Sequence, residues 1–253
     1  MKEKLILDIK FGGLGDHLFY SHIPHIAKET GAYTKVYISN LSEFRSPEYR
    51  RLIWEKNPFV DGFTDEPGTP FIRDISEFEK DPVHYNILDT LMYMLGLDDG
   101  KRFHDPELYY EPRPRTDVAD ADLYDPNYVS NVGEFSPADL ARCMQKLGLT
   151  ANAQMALRER SIPLPIGRIV TSNSLEDFFD IVHSCKTLCC LTSGTATLAA
   201  ALGKPAVAFY GTGQSRRFHH SKLHRYVHVP QRPVARSRRA LKSCFARLRE
   251  RLQ

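Results

Sequence analysis

The feature that most constrains this fold is a short apolar run followed at once by three glycines and a helical pattern. Residues 5–9 have the apolar, partly β-branched composition of a buried strand. At Gly12, Gly13 and Gly15 the backbone can turn sharply and a ligand can approach it closely. A helix is predicted from Asp16, whose carboxylate can cap free N–H groups and complement the helix dipole. Strand, glycine loop and helix in this order surround an anionic group with backbone donors.

Two common nucleotide-binding motifs do not fit this loop. A dinucleotide fingerprint needs G-x-G-x-x-G, but after Gly13 and Gly15 the third position is Leu18. The next predicted strand, residues 35–39, also lacks the acid that would bind a ribose. A P-loop would need Gly-Lys-Ser/Thr, which is absent. The loop therefore indicates an anion site outside both motifs.

The densest pattern in the chain occupies residues 188–211. It predicts a strand, a turn of small residues, an alanine-rich helix, a second turn and a second strand. A helix over residues 175–184 precedes it, with Ser174 as the predicted N-cap. Further short strands are predicted at residues 86–89 and 128–132. Alternating strands and helices in both halves predict an α/β fold with parallel sheets.

A proline-rich stretch at residues 112–126 is the best linker candidate. We therefore predict an N-terminal Rossmann-like domain over residues 1–115 and a second over residues 116–235. Residues 236–253 are predicted to form a separate basic helix with one apolar face.

Composition limits the class of protein. A chain of 253 residues with 42% hydrophobic content can hold one large or two small packed domains. No run of about 18 apolar residues occurs, so no membrane span is predicted, and the N-terminal apolar run is too short for a signal peptide. Five cysteines, an odd number, favour reduced thiols over a disulfide framework. We therefore expect a cytoplasmic protein.

The net charge of +3 conceals an asymmetry. Residues 61–126 hold 17 acidic and 6 basic side chains, whereas residues 214–253 hold 12 basic side chains and the single acid Glu250. Such an end attracts phosphates, and a solvated helix face explains it equally well. It has few interleaved aromatic residues and no nucleic-acid motif, so no nucleic-acid partner is expected. Peripheral contact with the anionic inner-membrane surface is the interaction that the tail predicts.

The histidine spacings do not predict a metal site. His220, His224 and His228 lie four residues apart, but residues 226–229 look extended, which breaks a shared helical face. No metal and no cofactor are therefore predicted.

Two segments together resemble one family. Residues 11–16 followed by Pro24 are similar to the N-terminal loop and helix of the bacterial heptosyltransferases, glycosyltransferase family nine. Residues 174–178 and 199–211, the latter reading A-A-A-L-G-K-P-A-V-A-F-Y-G, resemble the donor-binding half of that family. The resemblance implies a GT-B fold, in which two Rossmann-like domains with parallel sheets face a cleft. It also implies inverting, metal-independent transfer from a nucleotide-sugar donor to a glycan or lipid-linked acceptor in surface polysaccharide (LPS or capsule) biosynthesis.

The resemblance also implies roles for individual residues. Asp16 corresponds to the general base, and a helix cap without chemistry is its alternative role. The donor diphosphate would be held by the turn and by three later cations: Thr192, Ser193, Gly194, Thr195, Arg216, Arg217 and Lys222. The acceptor side would be shaped by the first loop: Gly12, Gly13, Gly15 and His17.

The sequence also departs from the family pattern. The Asp-Ser-Gly of the family is Thr192-Ser193-Gly194 here, a histidine expected in the following helix is Leu198, and the segment between residues 132 and 169 is short. These departures leave a second hypothesis open, a catalytically inactive protein that binds a nucleotide or nucleotide sugar.

Overall fold

The computed structural model describes residues 2–68 and 86–231, which form two parallel sheets. The first sheet has the strand order β1-β2-β3 and the second the order β6-β5-β4-β7-β8-β9. The strands are β1 (Lys2–Leu7), β2 (Tyr33–Ser39), β3 (Gly62–Thr64), β4 (Asp122–Asp125), β5 (Ala153–Met155), β6 (Arg168–Val170), β7 (Thr187–Leu191), β8 (Val207–Tyr210) and β9 (Arg225–His228). The predicted α/β class with parallel sheets is confirmed.

Helices connect most of these parallel strands, as parallel pairing requires. They are α1 (Leu14–Tyr20), α2 (Ile23–Glu29), α3 (Pro47–Tyr49), α4 (Ile87–Met94), α5 (Pro137–Lys146), α6 (Leu175–Ser184) and α7 (Gly194–Ala201). Helix α3 continues into a π-helical segment, Arg50–Glu55, and two 3-10 turns occur at Thr116–Val118 and Arg216–Phe218.

Local capping signals explain the best-predicted helix. Ser174 Oγ accepts a hydrogen bond from the Asp177 amide at 3.0 Å, and α6 ends at Ser184 as expected. The single helix predicted from Asp16 is instead two helices, α1 and α2. Pro24 lies in the first turn of α2, where its missing N–H costs nothing, and α1 has already ended at Tyr20 with Ser21 as its C-cap.

Three predictions for the middle of the chain are wrong. The strand predicted at residues 86–89 is the start of α4, because Asn86 Oδ1 caps it by accepting from the Asp89 amide at 3.0 Å. The linker predicted at residues 112–126 contains β4, a central strand of the second sheet. The strand predicted at residues 128–132 belongs to a loop, since Pro126 ends the pairing after β4.

The core is continuous between the two sheets. One cluster of buried apolar side chains includes Leu7 of β1, Leu18 of α1, Leu123 of β4 and Leu198 of α7. A second cluster covers the other face of the six-stranded sheet. Strand β7 supplies both clusters in alternation, as expected for a strand covered on both faces.

Polar contacts also join the two sheets' helices. Glu48 Oε1 of α3 accepts from the Leu175 amide of α6 at 3.2 Å. Arg51 pairs with Glu176 at 2.8 Å. The connecting chain is fixed on α6 as well, since Tyr110 Oη and the Arg113 amide each donate to Asp180 at 2.8 Å.

Over residues 2–68 and 86–231, none of the helices has the length and apolar character needed to cross a bilayer. The predicted basic helix at residues 236–253 lies outside the described residues.

Candidate functional site

The topology of the second sheet indicates where a ligand would bind. The chain moves from β4 outward to β5 and β6, then returns to place β7 on the opposite side of β4. In open parallel sheets, ligands bind outside the carboxyl ends of the strands at such a switch point. Here those ends are Asp125 of β4 and Leu191 of β7, and the turn at residues 192–195 follows directly.

The start of α1 meets the start of α7 at this point. A Cβ atom on Gly15 would lie 3.2 Å from Gly194 Cα, and one on Gly194 would lie 3.1 Å from the Gly15 amide nitrogen. Backbones approach this closely only where both residues lack a side chain. The contact brings the glycine loop of the first sheet against the small-residue turn of the second.

The glycine loop is shaped by two further contacts. Gly12 has φ of +50°, and a Cβ there would lie 2.9 Å from Glu43 Cβ, so the position requires glycine. The Gly13 amide donates to Asp16 Oδ2 at 3.1 Å, which places the carboxyl group over the start of α1. Burial raises the pKa of Asp16 to about 6, although the Gly13 hydrogen bond and the positive charge of Arg45 oppose the shift.

The first turn of α7 presents polar groups without protein partners. In the described residues, the amides of Gly194 and Thr195 donate no hydrogen bond, and Ser193 Oγ does not cap the helix. Ser193 Oγ is buried and has no hydrogen-bond partner within those residues. Since buried polar groups are nearly always paired, these groups are suited to an anionic ligand.

Sequence reasoning missed Asp125, whose carboxyl group binds the first turn of α7 through Thr195. Its Oδ2 accepts from Thr195 Oγ1 at 2.5 Å, and its Oδ1 accepts from the Asn127 amide at 3.1 Å and from Asn127 Nδ2 at 2.7 Å. Burial raises the pKa of Asp125, and these hydrogen bonds oppose the shift. A carboxylate at the end of a strand was the available signal, but the strand itself was not predicted.

Thr192, where the family pattern has an acid, is buried and hydrogen-bonded to other parts of the protein. Its Oγ1 accepts from Gln214 Nε2, and its amide donates to the Phe209 carbonyl at 3.1 Å. The Thr192 hydroxyl also donates to the Phe209 carbonyl at 3.5 Å, so a threonine fits this position because its side chain both accepts and donates, which a carboxylate could not do.

The structure places His17 in the core rather than in the loop. Its Nε2–H donates to the Glu43 carbonyl at 2.9 Å, and its Nδ1 accepts from Trp54 Nε1 at 2.9 Å. Burial lowers the pKa of His17 to about 4, so the ring is neutral. Both ring nitrogens are used by the protein, and the imidazole is not available to a ligand.

The three later cations lie on and around the 3-10 turn at Arg216–Phe218 and the segment after it. Arg217 is buried, Arg216 is exposed, and Lys222 lies 5.1 Å from the centroid of the Phe103 ring. This segment packs on α1 through Phe218, whose ring centroid is 6.3 Å from that of Phe19. Their part in donor binding stays a prediction.

A second buried carboxyl lies at the end of β1. Asp8 Oδ2 pairs with Lys10 Nζ at 2.5 Å, while Asp8 Oδ1 is buried and has no hydrogen-bond partner within residues 2–68 and 86–231. Both Asp8 and Asp16 act electrostatically on the Tyr20 hydroxyl, whose pKa is raised mainly by burial. Asp8 is therefore a second candidate proton acceptor.

Among the described residues, no group of three or more His, Cys, Asp or Glu side chains has an arrangement that could hold a metal ion.

Neither protein-family models nor curated protein sequences match this chain. Several solved structures, by contrast, are similar to it in fold. The fold is similar to a glycosyl transferase family 9 protein from Veillonella parvula DSM 2008, at 10% identity and a TM-score of 0.55 over 96% of this chain and 89% of that one. It is also similar to Escherichia coli heptosyltransferase WaaC with ADP, at 9% identity and a TM-score of 0.52 over 98% and 99%.

A third similar structure is the iron-containing dodecameric glycosyltransferase TibC from enterotoxigenic E. coli H10407. Its identity is 16% and its TM-score 0.61, over 88% of this chain and 62% of TibC, so the chain spans less than two thirds of that protein. At these identities the likeness concerns the fold alone. The described residues have the fold of these bacterial glycosyltransferases.

Proposed function

We propose that this protein is an inverting glycosyltransferase that moves a sugar from a nucleotide-sugar donor to a hydroxyl of a glycan or lipid-linked acceptor, in bacterial surface polysaccharide assembly. One observation carries the proposal. The contact between Gly15 and Gly194 brings the loop that precedes Asp16 against the first turn of α7, where the Gly194 and Thr195 amides donate no hydrogen bond within the described residues. A proton acceptor and an anion-binding turn are the two groups that this reaction needs close together.

In the proposed reaction Asp16 acts as the general base. The acceptor hydroxyl oxygen attacks the anomeric carbon of the donor from the face opposite the diphosphate. A new carbon–oxygen bond forms, the bond to the diphosphate oxygen breaks, and the hydroxyl proton moves to the Asp16 carboxylate. A pKa of about 6 suits this role, because the group is ionised at neutral pH yet basic enough to take a proton.

The first turn of α7 would stabilise the leaving diphosphate. The Gly194 and Thr195 amides and Ser193 Oγ can donate to its oxygens, and the dipole of the eight-residue helix adds positive potential. Asp125 orients Thr195, which keeps this turn in place as negative charge develops. No metal is required in this scheme.

The nature of the donor is supported by what similar structures contain. WaaC was solved with ADP, and a second TibC structure, with a TM-score of 0.54, holds ADP-D-β-D-heptose. The class of donor proposed here is accordingly a nucleoside diphosphate sugar. The first sheet and its loop would serve the acceptor, and the second would serve the donor. The chain would act in the cytoplasm, with residues 236–253 at the inner membrane.

The proposal is tested in two steps. Nucleoside diphosphates and nucleotide sugars are first screened by thermal shift, because a ligand bound only by the native state raises the melting temperature. With a donor in hand, D16N is expected to lower kcat by about 10²–10⁴-fold while the donor Kd stays unchanged. The carboxamide oxygen of the D16N variant can still accept from the Gly13 amide, so the helix cap is kept.

Glu29→Gln is the matched control, since Glu29 is exposed at the end of α2, and it should keep wild-type turnover. Unchanged turnover in D16N together with lost turnover in D8N would transfer the base role to Asp8 and contradict the mechanism. Donor binding without turnover for any acceptor would favour the inactive binding protein, which the threonine at position 192 in place of an acid supports.

A further inference from the structure

The buried ring of His17, next to the proposed base in the sequence, is hydrogen-bonded on both nitrogens to distant parts of the chain. We propose that His17 is a positioning residue: its ring holds residues 43–45 against the glycine loop and thereby holds the Asp16 carboxyl in the direction of the acceptor hydroxyl. The inference rests on the proposed function. It adds a residue that acts through the base without touching the substrate.

The two partners of His17 allow only one tautomer of its ring. The Trp54 indole N–H can only donate, and it lies 2.9 Å from Nδ1, so Nδ1 carries no proton. The Glu43 carbonyl can only accept, and it lies 2.9 Å from Nε2, so Nε2 carries the proton. A second proton on the ring would face the indole N–H, and burial lowers the pKa of His17 to about 4. The ring is therefore neutral and fixed in one orientation.

Ring packing strengthens the contact between α1 and residues 43–45. The Phe44 ring stacks on the His17 ring, with the centroids 4.6 Å apart and the planes at 21°. The Tyr49 ring lies 5.6 Å from the His17 ring. His17 thus contacts residue 43 through a hydrogen bond and residue 44 through stacking, and both contacts start from the residue after Asp16.

Residues 43–45 in turn contact the glycine loop along its backbone. The Glu43 amide donates to the Ile9 carbonyl at 2.8 Å, and the Arg45 amide donates to the Gly12 carbonyl at 3.0 Å. At Gly12 a Cβ would lie 2.9 Å from Glu43 Cβ, so no side chain fits between the two segments. A displacement of residues 43–45 would therefore displace the glycine loop as well.

The glycine loop fixes the direction of the Asp16 carboxyl. The Gly13 amide donates to Asp16 Oδ2 at 3.1 Å. The place that a Cβ on Gly13 would occupy lies 2.8 Å from Asp16 Oδ2 and 3.6 Å from Arg45 Nη1, so the carboxyl and the end of residues 43–45 flank the same point. The contacts form a closed circuit that runs from Asp16 to His17, residues 43–45, the glycine loop and back to Asp16.

Loss of the His17 hydrogen bonds should change Asp16 in two ways. A proton acceptor displaced by about 1 Å costs up to about 10²-fold in rate, because proton transfer requires hydrogen-bond distance to the acceptor hydroxyl. Burial is the largest cause of the raised pKa of Asp16, and the charges of Arg45 and Glu43 act in opposite directions. Looser packing of residues 43–45 should therefore lower this pKa toward its ordinary value.

The test uses the full chain and two disruptive variants. H17L has neither donor nor acceptor, and W54F keeps the imidazole but removes the donor to Nδ1. Carbon-13 NMR measures the titration of Asp16, whose signal is identified by its loss in D16N. Both disruptive variants should titrate at lower pH than wild type. Each should also lower kcat about tenfold or more, measured with the nucleotide sugar that the thermal-shift screen selects, while the Kd of ADP stays unchanged.

A conservative variant and a matched control separate positioning from general damage to the core. H17Q carries a donor and an acceptor on one carboxamide, as the neutral imidazole does, and should keep the titration and kcat close to wild type. His22→Leu also removes a buried ring, but the nitrogens of His22 have no hydrogen-bond partner among the described residues. It should leave the titration of Asp16 and kcat unchanged. Melting temperatures identify the variants that fold normally.

Three outcomes would overturn the inference: a titration of Asp16 that is unmoved or moved to higher pH in folded H17L and W54F, a kcat that stays at the wild-type value in both, or an H17Q variant as impaired as H17L. A wild type that transfers no sugar from any donor would instead overturn the proposed function. The NMR titrations would still decide whether His17 controls the environment of Asp16, because they need no turnover.

Discussion

The environment of Asp16 gives this residue a titration close to neutrality. Its carboxyl group is half-buried at the start of α1, and burial outweighs the stabilising effects of the Gly13 amide and Arg45. A carboxyl group in solution would be ionised over most of the physiological range, whereas Asp16 is partly protonated at mildly acidic pH. Its protonation state therefore links the proposed reaction to pH.

If Asp16 is the base, activity must fall on acidification. Only the ionised carboxylate accepts a proton, so kcat/KM is expected to be constant above about pH 7 and to fall about tenfold per pH unit below pH 6. The dependence of kcat/KM on pH, measured with the donor-loaded enzyme, tests this expectation. A fall in kcat/KM centred near pH 4 would contradict the assignment of Asp16 as the base.

Buried histidines predict a second, separate effect of pH on stability. Burial lowers the pKa of both His22 and His220 to about 3 from an ordinary value of 6.5. The unfolded chain therefore binds more protons than the folded protein between these values. The free energy of unfolding should fall as pH decreases from 6.5 toward 3, by at most about 1.4 kcal/mol per pH unit for each group. His104 acts oppositely, because Asp89 raises its pKa.

Urea unfolding at several pH values tests this effect. His22→Leu removes a ring whose two nitrogens have no hydrogen-bond partner among the described residues, so its pH slope should be smaller by about one proton. H228Q, at an exposed position of β9, should keep the wild-type slope. An unchanged slope in His22→Leu would show that this ring does not titrate on unfolding.

The candidate site residues chosen from the sequence have local signatures, and the same reasoning passed over groups that only the fold brings together. Asp16 and Ser193 follow glycine or precede a helix, and such signals are local. His17 directly follows Asp16 in the sequence, yet its ring is bound by the Glu43 carbonyl and the Trp54 indole, which come from distant parts of the sequence. Asp125 becomes part of the site only because β7 returns beside β4.

At the scale of the elements, α6 and α7 begin in chemically different ways. Both have a serine at the N-cap, but Ser174 Oγ caps α6 whereas Ser193 Oγ caps nothing. An uncapped helix start normally costs stability unless a ligand satisfies it. Substitution of each serine in turn can therefore separate the effect of a helix cap from the effect of a ligand contact.

We expect opposite results from the two alanine variants. S174A should lower the free energy of unfolding by about 1 kcal/mol and leave ADP affinity unchanged. S193A should leave stability within about 0.5 kcal/mol and weaken ADP binding several-fold, because only the ligand uses its hydroxyl. Urea unfolding and calorimetry measure both. A stability loss in S193A as large as that in S174A would show that the hydroxyl caps α7.

The crossing of α1 and α7 predicts a strong effect of a single methyl group. Gly15→Ala should cost about 1–3 kcal/mol of stability, because the new Cβ meets Gly194 backbone at 3.2 Å. Widening the site by a few tenths of an ångström should also lower kcat/KM, by about tenfold or more. Gly167→Ala has no atom within 4 Å and should do neither. Wild-type activity in Gly15→Ala would show that the crossing does not set the site's dimensions.

Elements with caps and clear periodicity were predictable, as α6 shows. Strand β4 was not, because its four residues lie between a proline-rich stretch and Pro126, and those prolines indicate a linker. Its status as a central strand depends on pairing with β5 and β7, which are distant in sequence. The start of helix α4 was predicted as a strand because the apolar residues after Asn86 fit a strand equally well.

At the scale of the whole molecule, the two sheets share one hydrophobic core. Leu18 of α1 and Leu198 of α7 are both fully buried in a cluster that also contains Trp54 and Ile181. A shared core couples the unfolding of the two halves.

We expect a single unfolding transition. Trp54 is the only tryptophan and lies in the first half, so its fluorescence reports on that half, while far-UV circular dichroism reports on all helices. The two midpoints should coincide in urea, and a saturating nucleoside diphosphate should shift both upward together. Separate midpoints would show that the halves unfold independently.

The glycine pair between α1 and α7 has a consequence for how such an enzyme could change its substrates. In the proposed reaction, the distance between the base and the leaving group would be set by the backbones of Gly15 and Gly194, which carry no side chains. Exposed side chains near the glycine loop, such as that of Arg45, stand on other segments of the chain. Selection could therefore exchange them one at a time and alter which molecule is glycosylated, while the reaction geometry is inherited intact.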